Sequence, residues 1–208
     1  MPSFEKALDL IFPPTCEKCG KVGKYICDGC YNELKKYEIQ NKCNSRVYYM
    51  YQYKDVIREM LINYKFNEKS YLCNLWAELI LKNKNACSFL ENCDIIIPVP
   101  LHRKRKMERG YNQTQLVTKK LEKQLNLIVN NKVLKKTKNI KPQSEKGYTE
   151  RKEDIKGAYI VENNKYIIDK TVLVFDDIYT TGSTTNECKK TLLKAGAKSI
   201  KIFAIAKD

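Results

Sequence analysis

Thirteen consecutive residues, Val172-Leu-Val-Phe-Asp-Asp-Ile-Tyr-Thr-Thr-Gly-Ser-Thr184, constrain the fold of this chain more than any other stretch. Val172 to Phe175 predict a short buried strand, because an unbroken apolar run of that length suits a parallel sheet covered on both faces. The strand is expected to end on Asp176 and Asp177. A loop of hydroxyl residues around one glycine follows, Thr180 to Thr184. Residues 185–195 then have helical composition and stop at Gly196, a natural C-cap.

That layout has a chemistry. The start of a helix presents unpaired N–H groups and a partial positive charge, so the loop can hold a phosphate. Gly182 permits close backbone approach, and Thr180, Thr181, Ser183 and Thr184 add hydroxyl donors. The acids repel phosphate but suit vicinal hydroxyls, at about 1.5–3 kcal/mol for each charge-assisted bond. A phosphate beside a diol describes a ribose 5-phosphate. A plain strand–turn–helix with two solvated aspartates is the alternative. Neither a Gly-x-x-x-x-Gly-Lys-Ser/Thr loop nor a Gly-x-Gly-x-x-Gly turn occurs, which argues against nucleoside triphosphatase and dinucleotide sites. The block resembles the 5-phosphoribosyl 1-diphosphate (PRPP) signature of type I phosphoribosyltransferases. The resemblance implies catalytic roles for Asp176 and Asp177, with residues 180–184 around the 5-phosphate.

Cys16-x-x-Cys19 and Cys27-x-x-Cys30, seven residues apart, are the ligand set of a closed tetrahedral zinc site. Gly20 and Gly29 are expected to supply tight turns around the metal. A redox dithiol is the alternative reading. Cys43, Cys73, Cys87, Cys93 and Cys188 read as small hydrophobes. The cysteine count is odd, and Met1-Pro-Ser-Phe-Glu-Lys has no secretory h-region, so a soluble cytoplasmic protein with thiols rather than disulfides is expected. No apolar run approaches membrane-spanning length, so no membrane insertion is expected.

The formal net charge is +15, which favours polyanionic ligands. The 33 lysines also accompany many asparagines, a bias that base composition alone can produce, so arginine is the better indicator. Three of the six arginines, Arg103, Arg105 and Arg109, fall within seven residues. They belong to an expected loop beginning Leu101-His-Arg-Lys-Arg-Lys-Met-Glu-Arg109, after a buried strand at 94–100 and before a helix over about 112–125. Leu101, His102, Arg103, Arg105 and Arg109 are the expected diphosphate cradle; a solvated cationic loop is the alternative. His102, the single histidine, is expected to position rather than to catalyse. Arg103, Lys104, Arg105, Lys106, Arg109 and Arg151 could instead track single-stranded nucleic acid. Alternation over 46–53 places Val47, Tyr49, Tyr51 and Tyr53 on one face, as packing or as a base-stacking platform.

The zinc knuckles, Tyr53-Lys-Asp-Val-Ile-Arg…Lys65-Phe66, Pro98-Val-Pro-Leu-His…Arg109-Gly-Tyr-Asn-Gln113 and the PRPP block together resemble the ComF family, linked to competence and DNA uptake. So does Gln143-Ser…Arg151…Gly157-Ala-Tyr159. The family often carries a third knuckle, of which only Cys43 is present here. Thr180 stands where purine-transferring relatives have an aspartate, so the acceptor side looks more like orotate- or amine-type members. The resemblance implies a twisted, mainly parallel α/β sheet flanked by helices, a zinc module over 1–45 and a phosphoribosyltransferase-like domain over 46–208. It implies a hood from 46–66 and parts of 135–156. It further implies magnesium bound with PRPP, loss of diphosphate to an unnamed acceptor, and DNA-uptake proteins or single-stranded DNA as partners. A DNA-handling factor that uses the PRPP pocket only for regulation or phosphate docking is the second reading.

Overall fold

A computed structural model of the chain describes residues 13–41, 45–67, 69–140 and 155–208. Its strands are β1 (Val47–Gln52), β2 (Ile95–Pro98), β3 (Leu134–Lys136), β4 (Tyr159–Val161), β5 (Thr171–Tyr179) and β6 (Ser199–Lys207). Four of them form one sheet in the order β1-β6-β5-β2, with every pair parallel. β3 and β4 form a separate antiparallel pair. The helices are α1 (Asp28–Leu34), α2 (Asp55–Phe66), α3 (Leu72–Lys82), α4 (Lys84–Glu91), α5 (Arg103–Arg109), α6 (Gln113–Leu125) and α7 (Ser183–Lys194). The expected parallel sheet with flanking helices is present.

A parallel sheet must be covered on both faces, and the alternation along β5 shows how. Leu173 and Phe175 join Phe203 and Ile205 of β6, with Trp76 of α3 and Leu121 of α6, in one core. Val172 and Val174 join Ile200 and Ile202, Cys188 and Leu192 of α7, and Leu134 and Tyr159 of the β3–β4 pair in the other. Phe175 and Phe203 stack with centroids 5.0 Å apart across the strand pair. Each fully buried side chain of this size contributes about 1.5–3 kcal/mol.

Several boundaries differ from the sequence reading. β5 does not end on the acids but runs two residues past them, pairing with β6 through Asp176, Ile178 and Tyr179. α7 begins at Ser183, earlier than expected, because Gly182 adopts the left-handed conformation and caps it. The stretch after Leu101 is a helix, α5, not a loop. Its residues Arg-Lys-Arg-Lys-Met-Glu-Arg are nearly all strong helix formers, with His102 at the N-cap and Gly110 left-handed after the end. Residues 47–52 belong to the sheet edge and not to a hood. There Tyr48 stacks on Phe203 at 5.4 Å, Tyr49 meets Tyr179 at 4.9 Å and Tyr51 is fully buried, so these tyrosines are committed to packing. Among the described residues, no helix is long and apolar enough to cross a membrane.

Candidate functional site

The carboxyl end of β5 turns through residues 180–182 into α7, leaving a small recess of about 40 Å³ lined by Asp176 and residues 178–185. Gly182 has φ +72, and a Cβ there would run into the Tyr179 hydroxyl and lie 2.5 Å from its Cζ. Only glycine fits both the backbone and the space. Thr181 Oγ1 and Ser183 Oγ are 2.8 Å apart and the Ser183 N–H reaches back to Thr181 Oγ1 at 3.3 Å, so hydroxyls crowd the first turn. The Asn186 N–H donates to the Gly182 carbonyl at 2.8 Å, the first full helical bond of α7. Thr180, Thr181, Gly182, Ser183 and Thr184 are therefore brought together.

Asp176 and Asp177 are both buried, in different surroundings. Asp176 lines the recess, and its Oδ1 accepts the Asp177 N–H at 2.9 Å. Burial, and then the neighbouring Asp177 charge, push the Asp176 carboxyl up to about 7, against the opposing pull of Lys65 and Lys136. Asp177 is held by other groups: Lys65 Nζ lies 2.8 Å from Oδ1, and Gln113 Nε2 donates to Oδ2 at 2.5 Å. Arg109 Nη1 in turn donates to Gln113 Oε1 at 2.5 Å. The two acids are thus adjacent in sequence but not equivalent in chemistry.

The basic stretch divides by helical geometry. Arg105 and Arg109, one turn apart on α5, are half-buried and line a recess of about 150 Å³ with Lys65, Phe66 and Glu108. Arg109 sits over the exposed Phe66 ring with its Cζ 5.2 Å from the centroid. Arg103 lies about 200° round the helix from Arg105 and is exposed, as are Lys104 and Lys106. Leu101 and His102 are half-buried, and His102 Nδ1 accepts the Lys104 N–H at 3.3 Å, a capping role. Arg151 lies outside the described residues.

The four N-terminal cysteines form one cluster, with all Sγ atoms within 4.8 Å of one another and Cys19 and Cys27 Sγ 3.7 Å apart. Four thiolates at about 2.3 Å from a tetrahedral metal are about 3.8 Å apart, so this donor set fits a zinc-like ion. Gly20, with φ +76, donates its N–H to the Cys16 carbonyl at 2.8 Å and closes the first knuckle. The second knuckle is built differently. Cys27 caps α1, and Gly29 lies within the helix with no special conformation, because the helix itself supplies the turn. Burial raises the Cys16 thiol but the N–H groups around it outweigh that and bring it down to about 6, while burial and the neighbouring thiols push Cys30 far up, so the four sulfurs share charge unequally when no cation sits between them. Cys73 and Cys188 are buried, as expected of small hydrophobes; Cys43 lies outside the described residues.

Sequence reasoning assigned no role to Lys65, Phe66, Gln113, Lys136 or Tyr159, although all but Lys136 stood in stretches that carry the family resemblance. Lys136 faces Tyr159, with Nζ 5.6 Å from the ring centroid. Burial pulls the Lys136 ammonium down, with Cys188 and Asp176 opposing.

Residues 107–208 match the phosphoribosyl transferase domain family. The chain is 29% identical over 199 residues to Competence protein F of Haemophilus influenzae, covering 93% of this chain and 85% of that protein. It is 27% identical over 211 residues to Competence protein ComFC of Streptococcus pneumoniae, covering 92% and 87%. It is 23% identical over 198 residues to DNA utilization protein YhgH of Escherichia coli K12, covering 92% and 83%.

Proposed function

We propose that this chain, a homologue of the ComF competence proteins with a phosphoribosyl transferase domain, binds PRPP together with magnesium and serves DNA uptake in the cytoplasm. The observation that carries the reading is the single turn from β5 into α7, which sets the Asp176 carboxylate beside a recess lined by Thr180, Thr181, Gly182, Ser183 and Thr184. In this reading the 5-phosphate lies over residues 180–184 and the ribose hydroxyls face Asp176. Arg105 and Arg109 clasp the diphosphate from α5, with Lys65 beside them.

Diphosphate departure leaves an oxocarbenium-like sugar, and the half-buried guanidiniums offset the charge that develops on the leaving group. Both oxygens of Asp177 already have partners, so Asp176 is the carboxylate most available to a hard cation. Magnesium, when bound, would neutralise diphosphate charge. The four cysteines select a soft tetrahedral ion, for which zinc is the proposed occupant.

Calorimetric titration with PRPP and Mg²⁺ tests the reading. Binding is expected, weakened in Arg105→Gln and Arg109→Gln but not in Arg103→Gln, with PRPP-dependent diphosphate release abolished in Asp176→Asn. Absence of PRPP binding in the unaltered protein overturns it. A second reading, single-stranded DNA handling without turnover, is favoured by the exposed Arg103, Lys104 and Lys106 on the outer side of α5. It predicts strand binding that falls steeply with salt and is reduced when those three are replaced.

A further inference from the structure

Gln113, the first residue of α6, is 5% exposed, and its carboxamide lies between two opposite charges. Nε2 donates to Asp177 Oδ2 and Oε1 accepts from Arg109 Nη1, each at 2.5 Å. A carboxylate only accepts and a guanidinium only donates, and a carboxamide, with one donor end and one acceptor end, satisfies both. The backbone beneath it is fixed. Asn112 Oδ1 caps α6 by accepting the Thr114 N–H at 3.0 Å, and Asn112 Nδ2 donates to the Val99 carbonyl at 3.1 Å. The Tyr64 O–H donates to the Gln113 carbonyl at 2.8 Å, which ties in α2.

The network keeps two charges apart that would otherwise cancel. Asp177 has Lys65 as its counter-ion at 2.8 Å, whereas Arg109 makes no ion pair among the described residues and meets Asp177 only through the neutral amide. Its guanidinium is half-buried over the Phe66 ring and lines the 150 Å³ recess with Arg105, Lys65 and the exposed Glu108. Of the five N–H groups on a guanidinium, Gln113 takes one, on Nη1, so a fork of donors is left for a bidentate anion. Gathering partly desolvated cations around one recess is unfavourable until an anion completes it, and such local conflicts concentrate at functional sites.

We infer that Gln113 is a positioning residue for the diphosphate: it fixes Arg109 in the recess from the Asp177 side, and as a neutral spacer it keeps that carboxylate from neutralising the guanidinium. This rests on the diphosphate placement proposed above. A glutamine that served folding alone would make a different demand. Its loss would then act on stability, and on every ligand alike, rather than through Arg109.

The test compares the unaltered full-length protein with Arg109→Gln, Gln113→Met, Gln113→Glu and the Arg109→Gln/Gln113→Met pair. Calorimetry is run with inorganic diphosphate and Mg²⁺, and with ribose 5-phosphate, which in the proposed placement does not reach α5. Gln113→Met is expected to bind diphosphate about tenfold more weakly and ribose 5-phosphate normally. The pair should bind diphosphate no more weakly than Arg109→Gln alone, since Gln113 acts through Arg109. Gln113→Glu adds an acid to a network that already holds two cations, so it decides the matter if Gln113→Met does not fold. Its carboxylate pairs with Arg109 directly and should also weaken diphosphate binding selectively. If the unaltered protein fails to bind either one of the probes, or if Arg109→Gln binds diphosphate as well as it does, the placement proposed above fails. If Arg109→Gln weakens diphosphate while the Gln113 variants do not, if those variants weaken both ligands alike, or if the pair shows the two losses in full, this inference alone is overturned.

Discussion

Lys65 Nζ lies 2.8 Å from Asp177 Oδ1, with both side chains largely withdrawn from water. The pair joins the end of α2 to the end of β5, and Gln113 completes the carboxylate from α6. Burying one charge without the other is expensive, whereas burying neither costs far less. Lys65→Met is therefore expected to destabilise the fold by about 2–4 kcal/mol, with Asp177→Asn in the same chain restoring most of it. Urea midpoints of the two single variants and the double variant measure this coupling; strict additivity would show that the pair does not act as one.

Asp176 predicts a pH dependence. Its folded carboxyl is raised by burial to about 7 from an ordinary 3.8, so the native state holds a proton that the unfolded chain has lost. The contribution of this group to stability is complete below the unfolded value and declines as pH rises through 7. Asp176→Asn removes the dependence, so its melting-temperature advantage over the unaltered protein should be small near pH 4 and grow to its full extent by pH 8. The proposed binding of magnesium and ribose at this carboxylate should strengthen over the same range.

Two glycines should respond with opposite signs. Gly182→Ala places a Cβ against Tyr179 at a positive φ and is expected to cost about 2 kcal/mol or more, while closing the recess. Gly29→Ala meets open space within α1 and should stabilise by about 0.5–1 kcal/mol. Denaturant curves of the two variants decide both.

Metal removal should reach beyond the N-terminal knuckles. Ile26, Leu34 and Tyr37 share a core with Met50, Tyr51 and Leu61. Chelation, or Cys19→Ser, should therefore lower the melting temperature of the chain as a whole rather than free a separate unit. One tetrahedral metal per chain is expected, visible as thiolate charge-transfer absorption after cobalt substitution. A stoichiometry near zero in protein purified without chelator contradicts the site.

Local signals in the sequence were enough to establish the strand–acid–loop–helix order around Asp176 and Gly182, and the cysteine pairs, because each depends on neighbours a few residues away. The parallel sheet followed from the unbroken apolar runs at 172–175 and 95–97. Which residues face each acid did not, since that depends on contacts across the sheet. Adjacent strand positions meet different layers, so Asp176 lines the recess while Asp177 meets Lys65 and Gln113. The arginine run was visible, but only the helical turn of α5 decided that Arg105 and Arg109 face inward while Arg103 faces water. Tyr159 and Lys136 were brought together only by the pairing of β3 with β4, and β4 against α7 only by packing, contacts between segments far apart in the chain that no local pattern encodes.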